Sequence, residues 1–527
     1  MLGLQCAVMN GFVADFVIVN SSDNATNIRI EINEGDNVYE KVQLFCQNYK
    51  LDSIICSSVL KRVEDLAIRY APIKPTVHSF DIFDTILARD VMQPNDIFDF
   101  VETGFPYPNF RRWREEAGSN ANGTFDDIYV LFKQLSGEPD PLVIERLKDF
   151  EIECELNHTY ILEQNYQMIK NGDILITDMY LPYDTIARLL SNAGYKKFTN
   201  IYASAFGKSH GWMWKQLLTI YNIDAHLGDN YYSDVIQARK YGINAQLTEL
   251  HKLSFVEKTL VEAAPVWGSK LALVLRRFRH RNPYPIDSTK AQLFSDQSDF
   301  NIALMLLISH ELYDIMQREG LSRLLLTTRQ GCLLEKLFPK LYPNIETIRF
   351  STSRITLANP SIEFIEYLQE VYLPGKSLIF DLHGTFNRGL PLFRRVFSQD
   401  PRVHIFVHRN DPNATSFPGL SYSLHEAQSD VFTILNARGL PGQENISALY
   451  YLEDLHVDLV GPLVKVISDE NGHRKELRGP IITYTLEEAA VYHQAVELFI
   501  ATVDCRQVAD IVSMITLEAF ERFTPIF

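Results

Sequence analysis

Hydrophobic runs that stop abruptly at a polar residue set the plan of this chain. The stretch Val77-His-Ser-Phe-Asp-Ile-Phe-Asp-Thr-Ile-Leu-Ala-Arg89 opens on an apolar-leaning run that breaks off at Asp81. Such a run predicts a parallel strand delivering its carboxylate to the carboxyl edge of a sheet, where open α/β folds place their chemistry. The run Ile174-Leu-Ile-Thr177-Asp178 ends in the same way, and His226-Leu-Gly228 stops at Asp229. From Thr177 onward helical and extended patterns alternate over 183–193, 198–203, 212–221, 226–229, 235–241 and 245–247. Alternation of this kind marks a parallel sheet covered by helices. Gly242 stands where a helix-terminating glycine is expected, just before the last strand.

The rest of the pattern divides the chain. Residues 12–20 alternate loosely and 28–32 strictly, 33–36 is a turn, and a helical pattern follows with Val38, Val42, Phe45 and Cys46 on one side, then another over 54–68. This reads as a small α+β module over 1–73, with a structural packing role favoured over docking. Between Asp81 and Thr177 apolar residues recur at spacings of three and four over 96–105, 110–117, 124–135 and 142–169, punctuated by Pro106, Pro108, Gly118 and Pro139, which predicts a helical insertion over about 91–170. A second α/β unit over 256–527 begins with a helix at 300–319. Strands follow at 322–328, ending at Arg329-Gln330-Gly331, at 347–351 with Arg354 just beyond, at 378–381 running into a Gly/Thr turn, and at 403–407, before a helical tail over 486–520. The fold class expected is α/β: a Rossmann-like unit over 74–255 carrying the insertion, a second α/β domain, and the N-terminal module.

At 527 residues, and ~150 per domain, three or so domains are expected. A hydrophobic content of 46% with 22% charged residues excludes a disordered or fibrous chain. The net charge of −16 argues against a nucleic-acid binder, which needs clustered Lys and Arg. The one basic run, 276–281, reads as a solvated helix end. Cys6, Cys46, Cys56, Cys154, Cys332 and Cys505 are scattered without zinc-ligand spacing and are expected to be reduced. No basic n-region with a continuous apolar core opens the chain, so no signal peptide is expected and a cytoplasmic location is. No run approaches the ~18 apolar residues of a membrane span. Substrate and oligomeric state are not readable from these features.

Chemistry enters through the order Asp81, Thr177, Lys208, then the pair Asp229 and Asp234, each at a strand end or helix start. This order resembles the four motifs of the haloacid dehalogenase (HAD) superfamily of hydrolases, over roughly residues 75–250. The resemblance implies Asp81 as the nucleophile that forms an aspartyl-phosphate. It implies Mg²⁺ held by Asp81, the backbone carbonyl of Phe83, Asp229 and Asp234, with Thr177 binding a phosphoryl oxygen and Lys208 neutralising charge. The insertion would then be a helical cap that closes over a small phosphorylated metabolite, a sugar phosphate or nucleotide. One departure stands out. The superfamily's phosphatases carry an acid/base aspartate two residues after the nucleophile, where this chain has Phe83; Asp84 is one residue further. Loss of a general acid removes ~10²- to 10⁴-fold in rate unless another group substitutes.

The Phe-Asp-Ile-Phe-Asp-Thr sequence resembles a HAD subfamily often followed by a companion α/β domain. In that second unit Asp381, Gly384 and Thr385, with Arg354, His383 and Arg388 nearby in the pattern, would make an anion-holding loop, since Gly and Thr before a helix present backbone N–H groups; an ordinary strand-to-helix turn is the competing reading. The function expected is Mg²⁺-dependent phosphohydrolysis. The alternatives are a binding or scaffold protein on a degenerate HAD fold, or a glycosyl or phosphoribosyl transferase acting through the second unit.

Overall fold

The computed structural model describes residues 11–19, 25–33, 38–51, 53–70, 74–121, 123–328, 331–425, 455–480 and 486–515. The chain divides into two compact units, Met1–Lys252 and Leu253–Phe527, so residues 1–73 fall inside the first.

The first unit is built on a five-stranded parallel sheet in the spatial order Asn200–Ala203, Ile174–Thr177, Thr76–Phe80, Asn222–Gly228, Asn244–Leu247. Counted along the chain this is the order 3-2-1-4-5. The direction of winding reverses between Thr76–Phe80 and Asn222–Gly228, and a crevice opens at such a point beyond the carboxyl ends of the strands. Register carries the polar ends there: Phe80 pairs with Leu175 on one side and Leu227 on the other, and the Asp81 N–H donates to Leu227 O at 2.9 Å.

Four helices, Ile97–Gly104, Phe110–Asn120, Phe125–Ser136 and Pro141–His158, form the insertion. Thr124 and Asp127 make a reciprocal capping box on the third, and Asp140 caps the fourth. The fourth helix does not run to 169 as its spacing suggests. It stops at His158, and the β-branched and aromatic Thr159–Ile161 pairs antiparallel with Leu87–Arg89 before a short helix, Glu163–Met168.

This insertion is knit to the sheet. One hydrophobic cluster joins Phe80, Ile82 and Leu175 to Phe110, Phe132 and Leu147. Buried ion pairs join Arg89 to Glu155 and Arg114 to Glu151, each at 2.8 Å. The Arg114 guanidinium also donates to the Tyr180 hydroxyl at 2.8 Å.

At the N-terminus, Gly11–Val19 and Ala25–Asn33 form an antiparallel ribbon, followed by helices Val38–Tyr49 and Ser53–Tyr70. The chain reverses after Tyr49, which brings Cys46 and Cys56 to a Cα–Cα distance of 5.9 Å, bonded as a disulfide. The expectation of six reduced cysteines is corrected for this pair; Cys154, Cys332 and Cys505 are buried and make no disulfide, and Cys6 lies outside the described residues.

The second unit also holds a five-stranded parallel sheet, in the spatial order Glu346–Phe350, Arg323–Thr327, Ser377–Gly384, Val403–His408, Leu420–His425. Its largest core element is the helix Ile302–Glu319, buried through nearly its whole first half. The tail forms helices Leu486–Thr502 and Cys505–Ser513; the end of the expected tail helix and the pair Arg329 and Gln330 lie outside the described residues. Among the described residues no helix is long and apolar enough to cross a membrane.

Candidate active site

Asp81 leaves the central strand at the winding reversal and is only 5% exposed. Lys208, on the loop that follows the edge strand Asn200–Ala203, reaches back so that its Nζ is bonded to Asp81 Oδ1 and lies 2.6 Å from Asp234 Oδ1. One carboxylate oxygen each from Asp81, Asp229 and Asp234 falls within 4.8 Å of the others. Four side chains separated by up to 153 positions, from Asp81 to Asp234, thus meet in one largely buried cluster. A β-carbon at Gly228 would strike the Asp234 side chain, so only glycine permits this approach.

The electrostatics are those of clustered carboxylates short of positive charge. Burial pushes the Asp81 carboxyl well above the ordinary range; Lys208 opposes this, and Asp234 and Asp229 add to it. Burial, then Asp234 and Asp84, pushes Asp229 up to about 6. At Asp234 burial acts upward too, but Lys208 and His226 outweigh it and hold the group below the usual carboxylate range. Burial works against the Lys208 ammonium, yet Asp234 and Asp81 more than compensate and keep it charged.

Asp234 is heavily engaged. Besides Lys208, its Oδ1 lies 3.3 Å from His226 Nε2 and its Oδ2 accepts the Asn230 N–H at 3.0 Å. It braces the lysine and its own loop, whereas Asp81 and Asp229 are freer to hold a cation.

The turn after Asp81 explains Phe83 and Asp84. The N–H groups of Ile86 and Leu87 both donate to Ile82 O, and that of Asp84 to Leu87 O, bonds that spare the Phe83 carbonyl. Phe83 itself is buried in the core with the Arg89 guanidinium 4.6 Å from its ring centroid. Its side chain therefore serves packing. Asp84 sits in the left-handed region at φ 56°, uncommon outside glycine. Its charge acts on both Asp229 and Arg89. Thr177 ends the neighbouring strand two residues past Leu175, the partner of Phe80, and its Oγ1 accepts the Met179 N–H at 3.1 Å.

Two groups that support the cluster escape a reading by motif. Asp178 accepts the backbone N–H groups of Lys208 at 2.6 Å and Ser209 at 2.9 Å. His226 links Asp234 to Ser79 Oγ at 2.8 Å behind the pocket, edge-on to Trp214, and burial keeps it neutral. Its place as the first residue of the run ending in Asp229 was the available signal.

In the second unit the sequence-chosen residues are only partly assembled. Asp381 lies inside a strand that continues to Gly384, and its Oδ1 accepts from Thr327 Oγ1 at 2.9 Å. The apolar run stops at Asp381, but ladder pairing with Val403–His408 does not. Gly384 faces the Asp381 carboxylate, and Thr385 Oγ1 accepts the Asn387 N–H at 3.4 Å. Arg354 stands exposed at the start of the short helix Arg354–Ala358. A carboxylate beside Gly384 opposes an anion there.

No protein-family model matches this chain, and no curated protein matches it either.

Proposed function

We propose that this chain is a phosphohydrolase of the HAD kind, acting at Asp81 on a small phosphorylated metabolite. The observation that carries the proposal is the Lys208 ammonium shared between Asp81 and Asp234, with Asp229 within reach, at the winding reversal of a 3-2-1-4-5 parallel sheet. Asp81 would attack the phosphorus in line, and Lys208 would carry the positive charge that lets an anion approach a carboxylate. Thr177 would donate its hydroxyl proton to a phosphoryl oxygen. Asp178 holds the Lys208 loop in place through its two backbone bonds.

The donor set fits a hard divalent cation such as Mg²⁺. Asp81, Asp229 and the spared Phe83 carbonyl are all oxygen ligands, and the raised carboxyls of Asp81 and Asp229 are those expected where a positive charge is missing. When bound, the cation would neutralise phosphoryl oxygens and let Asp81 ionise. The buried Phe83 ring has no proton to give, so Asp84 would have to supply the leaving group's proton and take one back from the water that then cleaves the Asp81–phosphoryl bond. The helical insertion would wall the pocket as a cap that shares its core with the sheet.

The test is phosphate release from a panel of phosphate monoesters with Mg²⁺, comparing the native chain with Asp81→Asn. Release that vanishes in the variant supports the proposal; release indifferent to it, or none from any ester, removes it in favour of a binding protein.

A further inference from the structure

Large aromatic side chains crowd the loops that supply the pocket. Phe206 precedes Lys208 by two positions and Trp212 follows it by four; Tyr231 and Tyr232 lie between Asp229 and Asp234. They are 42%, 44%, 60% and 55% exposed, respectively. Single exposed apolar residues need no explanation, but four aromatics on two loops around one buried charge cluster do. The loops adjoin. Lys208 itself bonds Asp234.

Phe206 also sits at φ 65°, a conformation costly for a bulky residue and one that persists where surrounding structure imposes it. The turn is pinned by the His210 N–H and the Ser209 hydroxyl, both donating to Phe206 O, at 2.9 and 3.2 Å. The ring stacks on His210 at a centroid distance of 5.5 Å.

We propose that Phe206, Trp212, Tyr231 and Tyr232 form a stacking rim that receives the planar base of a nucleoside phosphate whose phosphoryl group enters at Asp81. This rests on the phosphoryl pocket described above and names its substrate class. A base is favoured over a bare sugar because the exposed side chains gathered on these two segments are flat aromatic rings. Asn230 Oδ1 accepts the N–H groups of Tyr232 and Ser233 at 3.0 and 3.1 Å. Lys240 donates to Gln237 at 3.1 Å and lies 5.8 Å from the Tyr232 ring centroid. Any base has a π face on which such rings can stack.

Titration calorimetry of the full chain carrying Asp81→Asn, with Mg²⁺ present, tests this using adenosine monophosphate and ribose phosphate as probes. The nucleotide should bind at least on the order of tenfold more tightly. Adding Phe206→Ala or Tyr231→Ala should remove most of that preference and leave ribose phosphate affinity and melting temperature unchanged; Tyr231→Phe should retain it. Equal affinity for the two probes, or loss of both together in the alanine variants, overturns the rim. Failure of both probes to bind overturns the phosphoryl pocket with it.

Discussion

Asp178 Oδ1 accepts the main-chain N–H of Lys208 at 2.6 Å, and its other oxygen takes the next N–H along. The residue after the strand-ending threonine therefore fixes the loop that brings the lysine to Asp81. Charge-assisted bonds of this kind contribute ~1.5–3 kcal/mol each. Asp178→Ala should lower phosphate release by about 10- to 100-fold through kcat, with the melting temperature lower by roughly 5–10 °C. Steady-state kinetics beside a thermal melt check this; unchanged kcat would separate the loop from the chemistry.

Removing the lysine charge should be worse for the fold than for most sites. Lys208→Met leaves Asp81 and Asp234 buried without their counter-charge, and an orphaned buried charge costs ~3–5 kcal/mol. Differential scanning calorimetry should show a melting temperature lower by about 10 °C. Divalent cation should restore part of the loss, since it supplies positive charge to the same carboxylates; a melt indifferent to Mg²⁺ in this variant would contradict the shared pocket.

Cation binding should depend on pH with a definite sign. Asp229 is held up at about 6, above the ordinary carboxylate value near ~3.9. Its proton therefore stabilises the cation-free fold at low pH, and this contribution fades as pH rises through about 6. A cation must displace that proton, so its affinity should climb between about pH 5 and 7. Thermal shift against Mg²⁺ at several pH values measures this; an affinity flat from about pH 5 to 7 would be the contrary result.

The insertion should behave as part of one core with the sheet. Arg114 is buried, ion-paired with Glu151, and bonded to Tyr180 on the loop after Thr177. Arg114→Met should cost ~3–5 kcal/mol, while replacing Glu151 with Met as well should recover much of it. Chemical denaturation of the single and double variants decides; equal destabilisation by both would contradict the pairing.

How far the sequence reaches follows from these contacts. Asp81, Thr177 and Asp229 are legible because each interrupts an apolar run, and the structure sets them at the ends of adjacent strands. Lys208 is legible only through its order among them. Asp178 and Lys208 lie 30 residues apart, and a side chain holding a distant backbone leaves no periodic mark. Arg114 and Glu151 sit on amphipathic helices where charged residues read as solvated until the helices are packed. Asp381 misleads for the opposite reason: strand pairing is made by the backbone, so a polar side chain does not end it. The Cys46–Cys56 pair depends on how two helices face each other, which spacing alone leaves open.

The most direct test is to incubate the chain with acetyl phosphate and Mg²⁺, quench in acid and map added mass by peptide mass spectrometry. A nucleophilic Asp81 predicts one phosphoryl mass on the peptide containing it, absent in Asp81→Asn. A phosphoryl group carried on another residue, or none while acetyl phosphate is consumed, would contradict the account.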